Sequence, residues 1–118
     1  MNDFKVMAKI LMAIKLCELK RKMNPSLFST EALEAGESTR DSMVNKLQKE
    51  GYVEGFYIDK TKYKAYPEID YYRSEPHVTI KGLTFIAESE TLKKAVETMD
   101  HKANSEASNM LSQASFLL

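Results

Sequence analysis

One cysteine and two histidines are the residues best equipped for nucleophilic or metal chemistry in this 118-residue chain, and their spacing argues against both. Cys17, His77 and His101 lie far apart, and three N/S donors are too few for a structural zinc site. Cys17 falls on the apolar stripe of a predicted helix, where a thiol packs rather than attacks. No phosphate-cradling glycine loop, nucleophile elbow or HExxH pair occurs. The expectation is a protein that is not an enzyme and holds neither metal nor cofactor.

Two other groups offer recognition chemistry. Thr39, Arg40, Ser42, Asn45, Lys46 and Lys49 belong to one predicted helix. There Asn45 could read adenine, and Lys46 or Lys49 guanine or phosphate. Arg40 shares the side of Met43, Val44 and Leu47, but its place near the helix start could leave the guanidinium free. Lys60, Lys62 and Lys64 alternate with Thr61, Tyr63 and Ala65, so an extended chain projects all three lysines from one face as a phosphate track. Each group also has a plain reading, as a solvated helix face and as a lysine-protected edge strand.

The balance of the chain frames these readings. It is 43% hydrophobic and 29% charged, the make-up of a folded domain rather than a disordered one. Seventeen cationic side chains meet seventeen anionic ones, so no global field drives non-specific nucleic-acid binding. Residues 1–50 carry nine Lys/Arg against seven Asp/Glu, and residues 51–118 eight against ten. No run approaches the length of a membrane span, and Lys5, Lys9 and Lys15 break the early apolar stretch. With a lone cysteine, this points to the cytoplasm.

The elements that must position the candidate residues follow in order. Val6, Met7, Ile10, Leu11, Ile14 and Cys17 recur at helical spacing from Asp3 to Arg21, with Lys5, Lys9, Lys15 and Glu18 at other angles. Pro25 stops this helix and pushes Asn24 out of helical geometry. Ser29 caps a second helix through Ala35, which Gly36 ends in a left-handed conformation. Ser38 or Thr39 caps the third, Asp41 imitating a capping box, and the helix runs to Glu50-Gly51. All six tyrosines lie between 52 and 72, an enrichment that reads as strands, with Asp59–Lys62 as the turn and Pro67 and Pro76 marking edges or loops. His77–Ile80 is a last short strand. Thr79 caps a fourth helix to about Met99, interrupted near Ser89. The expected core includes Ile10, Leu11, Ile14, Val44, Leu47, Val78, Ile80 and Ile86. Residues 1–100 form the domain and 101–118 a C-terminal tail.

Helix, helix, helix, strand, wing loop, strand, helix is an α+β order, that of a winged helix-turn-helix: a three-helix core, a β-hairpin wing and an additional C-terminal helix. "LQKEGYVEG" (Leu47–Gly55) resembles the end of a recognition helix running into a first wing strand. "VTIKGLTFI" (Val78–Ile86) resembles the signature that enters the helix after the wing, where Gly82 removes a side chain at a close approach. With "STEALEAGESTRDSMVNKLQKEGYV" (Ser29–Val53), the chain resembles the YjcQ family of small winged-helix proteins of Gram-positive bacteria and their prophages. The chain departs from a compact wing, because about twenty residues separate Ile58 from Val78.

The resemblance implies duplex DNA as partner, bound by the third helix and the wing, in a small prophage-type transcriptional regulator. Met99, Met110, Leu111, Phe116, Leu117 and Leu118 offer apolar surface for a homodimer through the C-terminal helix and tail. The alternative is a winged-helix module that binds protein and not DNA, favoured by zero net charge and by Glu68, Asp70 and Glu75.

Overall fold

An 18-residue helix, α1 (Asp3–Lys20), runs through the middle of the molecule. In the computed structural model, residues 3–60 and 65–102 are described, the last four of them by their backbone alone. Every residue of α1 from Ala8 to Ile14 is buried, so the helix is enclosed on all sides rather than along one stripe. Lys9 is therefore inside, at 4% exposure, and not on a solvated angle as its charge suggested. It reaches Glu34 with its Nζ at 3.1 Å, and Lys5 joins the same carboxylate at 3.0 Å.

That carboxylate explains a departure from the sequence reading. The left-handed residue ending α2 (Thr30–Leu33) is Glu34, at φ 53°, and not Gly36. The conformation carries Glu34 onto the two lysines of α1. Gly36 instead precedes α3 (Glu37–Lys49) in extended geometry, with no side chain to cap it, and Ser38 and Thr39 lie inside the helix rather than before it. Ser29 caps α2 as expected, its Oγ accepting from Ala32 N–H at 3.0 Å. Helix α1 stops at Lys20, before Pro25. Asn24 is extended and accepts from Ser26 N–H, opening a 3₁₀ turn over Pro25–Phe28.

Past α3 the chain forms one long antiparallel hairpin in two pieces. β1 (Val53–Glu54) pairs with β4 (His77–Val78), and β2 (Tyr57–Asp59) with β3 (Glu68–Asp70). Between the pieces, Gly55 and Phe56 on the outgoing side face Tyr71–Pro76 on the return. The surplus residues form a turn on which Asp70 Oδ1 accepts from the N–H groups of Tyr72 and Arg73. Ser74, buried, donates to Asp70 O at 2.7 Å and accepts from Tyr57 N–H at 2.9 Å. Gly55, at φ 94°, is where the strands touch most closely; a Cβ there would collide with the Glu75 carbonyl. The long separation noticed in the sequence is thus a built offset in the hairpin.

Thr79 caps α4 (Ile80–Glu88) through Gly82 N–H at 3.1 Å. Gly82 is buried against the Tyr52 carbonyl and Val78, which leave no room for a Cβ. The break at Ser89 is real, and α5 (Glu90–Lys102) follows, with Leu92 and Ala95 buried. Of the expected core, Ile10, Leu11, Ile14, Val44, Leu47, Val78 and Ile86 are buried, but Ile80 is 84% exposed. The strand ends at Val78, so Ile80 starts a helix and points outward instead of inward. Helices α1, α2 and α3, the hairpin and the following helices make a mixed α+β fold compatible with a winged-helix arrangement. No helix among the described residues is long and apolar enough to cross a membrane. The tail beyond Lys102 lies outside the described residues.

Candidate nucleic-acid interface

Helix α3 divides cleanly by what its side chains touch. Val44 and Leu47 enter the core, and so does Asp41, at 1% exposure. Asp41 does not cap a helix. It accepts from Tyr71 Oη–H at 2.7 Å, from Ile69 N–H at 3.2 Å and from Arg40 Nε–H at 2.8 Å. A carboxylate buried this completely requires that full set of donors. Gln48, two turns further on, both donates to Phe56 O and accepts from Phe56 N–H. These two residues fasten α3 to the hairpin.

Arg40 is part of the same attachment. Its guanidinium bonds Asp41, donates to the Phe28 carbonyl at 3.2 Å and lies 4.7 Å from the centre of the Tyr71 ring. Its side chain is only 14% exposed. The free guanidinium expected from its place near the helix start is not what the structure places there. Beneath it, Phe28 stacks on Tyr71 at 5.3 Å, and Phe56 meets both rings edge-on at 5.7 and 6.0 Å. Burial first, and the bond to Asp41 second, push the Tyr71 hydroxyl pKa well above its ordinary value.

The outer side of α3 is different. Ser42, Lys46 and Lys49 are exposed, and Thr39 and Asn45 are half-buried along its margins. Among the described residues, none of these five makes a side-chain hydrogen bond or ion pair. Lys60, just past β2, is likewise exposed and without an ion pair among the described residues. Lys62 and Lys64 lie outside the described residues. Glu37 and Glu50 stand at the two ends of the helix, so the positive charge of this face is local to Lys46 and Lys49.

Two features escaped the sequence reading. Asp41 was legible in principle: it lies three residues before Val44 and seven before Gln48, on the inward side of the helix. The Asp70–Ser74 turn was not, because only the hairpin offset creates it. It presents Tyr72 at 88% exposure beside Arg73, whose guanidinium sits 5.3 Å from the Tyr57 ring. Near it a groove of about 560 Å³ is lined by Ser26, Arg40, Asp59, Glu68, Asp70 and Tyr72 among others. Cys17 is buried as expected, its thiol against Met23 Sδ at 3.8 Å, and burial raises its pKa.

The tie between an inward-locked helix and a hairpin defines a small α+β protein whose arrangement is compatible with a winged helix. The chain belongs to the YjcQ family, whose model matches residues 8–103. That span runs from Ala8, within α1, through the end of α5. No curated protein and no solved structure matches the chain.

Proposed function

We propose that this protein binds double-stranded DNA in a sequence-specific manner, as a small cytoplasmic transcriptional regulator of the prophage type, without catalytic chemistry of its own. Helix α3 enters the major groove, and the wing segment of the sequence that carries Lys60, Lys62 and Lys64 lies on the phosphate backbone. One observation carries the reading: the inward polar side chains Arg40, Asp41 and Gln48 are committed within the fold, while Thr39, Ser42, Asn45, Lys46 and Lys49, on one side of the same helix, have no side-chain partner among the described residues. Uncommitted hydroxyl, amide and ammonium groups on a rigid helix are what base-edge and phosphate contacts require. Arg40 is left out of the interface, because taking its guanidinium to DNA would unpair buried Asp41. The protein acts as a homodimer, since DNA-binding helices of this kind read paired half-sites.

Selection of duplexes from a random pool, followed by titration across a salt series, tests this. Enrichment of a sequence, and its loss with Asn45→Ala, is the expected result. No enriched duplex and no binding even at low salt would defeat it. Zero net charge, with the exposed Tyr72 and the carboxylates Asp59, Glu68 and Asp70 along the neighbouring groove, favours the second reading, a protein-binding module.

A further inference from the structure

Helix α4 is held by one side and bare on the other. Gly82 and Ile86 are buried, whereas Ile80, Leu83, Thr84 and Ala87 are exposed, Ile80 at 84% and Leu83 at 45%. These four positions follow i, i+3, i+4 and i+7, so they share one stripe of the helix surface. The hydroxyl of Thr84 donates to the Ile80 carbonyl at 3.0 Å, which satisfies its polar atom and leaves the methyl group to extend the apolar stripe. An isoleucine at 84% exposure gains nothing from this fold, and it stands where a core residue was expected.

The order of side chains along the stripe says what fits against it. The bulky residues, Ile80 and Leu83, occupy the first half, and the small ones, Thr84 and Ala87, the second. Turned end for end, the stripe matches itself: Ile80 meets Ala87 of the second copy, and Leu83 meets its Thr84. Charge follows the same rule. Lys81 and Glu88 are seven residues apart and so lie within about 20° of each other around the helix. Both stand on one flank of the stripe, and an antiparallel two-fold brings like flanks together. With Ile80 opposite Ala87, Lys81 of each copy then stands two residues, about 3 Å along the axis, from Glu88 of the other, a gap that two long side chains span. Lys81 Nζ already donates to the Glu50 carbonyl at 2.7 Å, but an ammonium group has further donors to offer.

We infer that α4 is the contact between two copies of this chain, antiparallel about a two-fold axis passing between Leu83 and Thr84. The inference rests on the homodimer reading above and moves its seat from the C-terminal helix and tail to α4. Such a contact is isologous, each copy giving and receiving the same surface. A helix of nine residues buries little, so the pairing is weak and reversible.

Analytical ultracentrifugation of the full chain from about 5 to about 500 µM reads this directly, since small interfaces dissociate in that range. The native chain is expected to move from monomer to dimer with concentration. Ile80→Lys with Leu83→Lys is expected to stay monomeric throughout, with an unchanged thermal midpoint because both side chains are exposed. Glu88→Lys alone should weaken association about two- to fivefold, as an exposed ion pair allows, and adding Lys81→Glu should restore it. A native chain that is monomeric throughout overturns the dimer reading and the α4 contact together. A dimer that survives the two lysines overturns the α4 contact alone. If Lys81→Glu fails to restore association in the Glu88→Lys background while the thermal midpoint holds, the antiparallel register is wrong.

Discussion

The Tyr71 hydroxyl donates a hydrogen bond to Asp41 at 2.7 Å across thirty residues of sequence, and that bond joins α3 to the returning strand of the hairpin. The orientation of the proposed DNA-reading helix is thus set from inside, by a carboxylate that never meets solvent.

Removing one end of this bond should cost less than removing the other. Tyr71→Phe takes away a donor and keeps the ring against Phe28, a loss of about 1–2 kcal/mol. Asp41→Ala strands the Tyr71 hydroxyl, the Ile69 N–H and the Arg40 guanidinium together, a loss of about 3–5 kcal/mol. Urea unfolding monitored by circular dichroism ranks the two; equal losses would mean the carboxylate is not the hub.

The same bond predicts an alkaline limit. Burial, then the bond to Asp41, raises the Tyr71 pKa in the folded state, so above the ordinary tyrosine value, about 10, the unfolded chain gives up a proton that the folded chain keeps. The stabilising contribution is whole below that value and declines as pH rises beyond it. Tyr71→Phe should flatten that decline between about pH 9.5 and 11.5. A decline of equal steepness in the variant would assign it elsewhere.

On the acid side the sign reverses. The hydrogen bonds from Lys5 and then Lys9 hold the Glu34 carboxyl below its usual range. Its contribution is complete above the unfolded carboxyl value, about 4.3, and is lost as pH falls through the lower folded one. Glu34→Gln should remove this part of the acid limb while leaving neutral-pH mobility by gel filtration unchanged. An acid limb identical to the native one would contradict the pairing with buried Lys9.

Arg40 and the outer lysines should fail in different assays. Arg40→Ala should lower stability by about 1.5–3 kcal/mol, through the lost charge-assisted bond to Asp41. Lys46→Ala, Lys49→Ala and Lys60→Ala should leave the thermal midpoint within a degree or so, because exposed substitutions change stability little. Each should instead lower the salt slope of duplex binding by about one. A lysine variant that unfolds early, or one with an unchanged salt slope, removes that lysine from the interface.

Gly82→Ala tests the seat of α4. A Cβ there runs into the Tyr52 carbonyl and Val78, and overpacking of this kind costs about 1–3 kcal/mol. Leu47→Ala, at a residue 5% exposed, should cost about 2–5 kcal/mol through lost burial and a cavity. A neutral Gly82→Ala would mean that α4 can lift away from Tyr52.

Much of the fold was legible because short-range rules decided it. The apolar spacing of α1 and the Ser29 and Thr79 caps depend on residues within a turn or two of one another, whereas the close approach at Gly82, read from the resemblance, is to Tyr52 thirty residues earlier. The misreadings have distant causes. Glu34 takes the left-handed position from Gly36 because Lys5 and Lys9 wait for it on α1. Lys9 is buried because α1 is surrounded, which no single-helix pattern can reveal. Ile80 looked like core because an isoleucine after Val78-Thr79 continues a strand, until Thr79 turned it into a helix. In the candidate site, the outer residues of α3 were visible from their spacing. The commitment of Arg40 was not, because its partners Phe28 and Tyr71 lie twelve and thirty-one residues away.

The hairpin offset also bears on the order in which the chain can assemble. Asp41 meets Ile69 and Tyr71 only after the polypeptide has turned and come back, so these contacts close loops of twenty-eight and thirty residues. Closing such loops costs entropy before any contact rewards it, and it slows the step that depends on it. On the ribosome, α3 emerges while its anchoring partners are still unsynthesised. Until the return strand arrives, the Asp41 carboxylate has the Arg40 guanidinium but lacks the Ile69 and Tyr71 donors. The return strand thus brings Tyr71 and the Ile69 N–H to the Asp41 carboxylate, and with them α3 gains its tie to the hairpin.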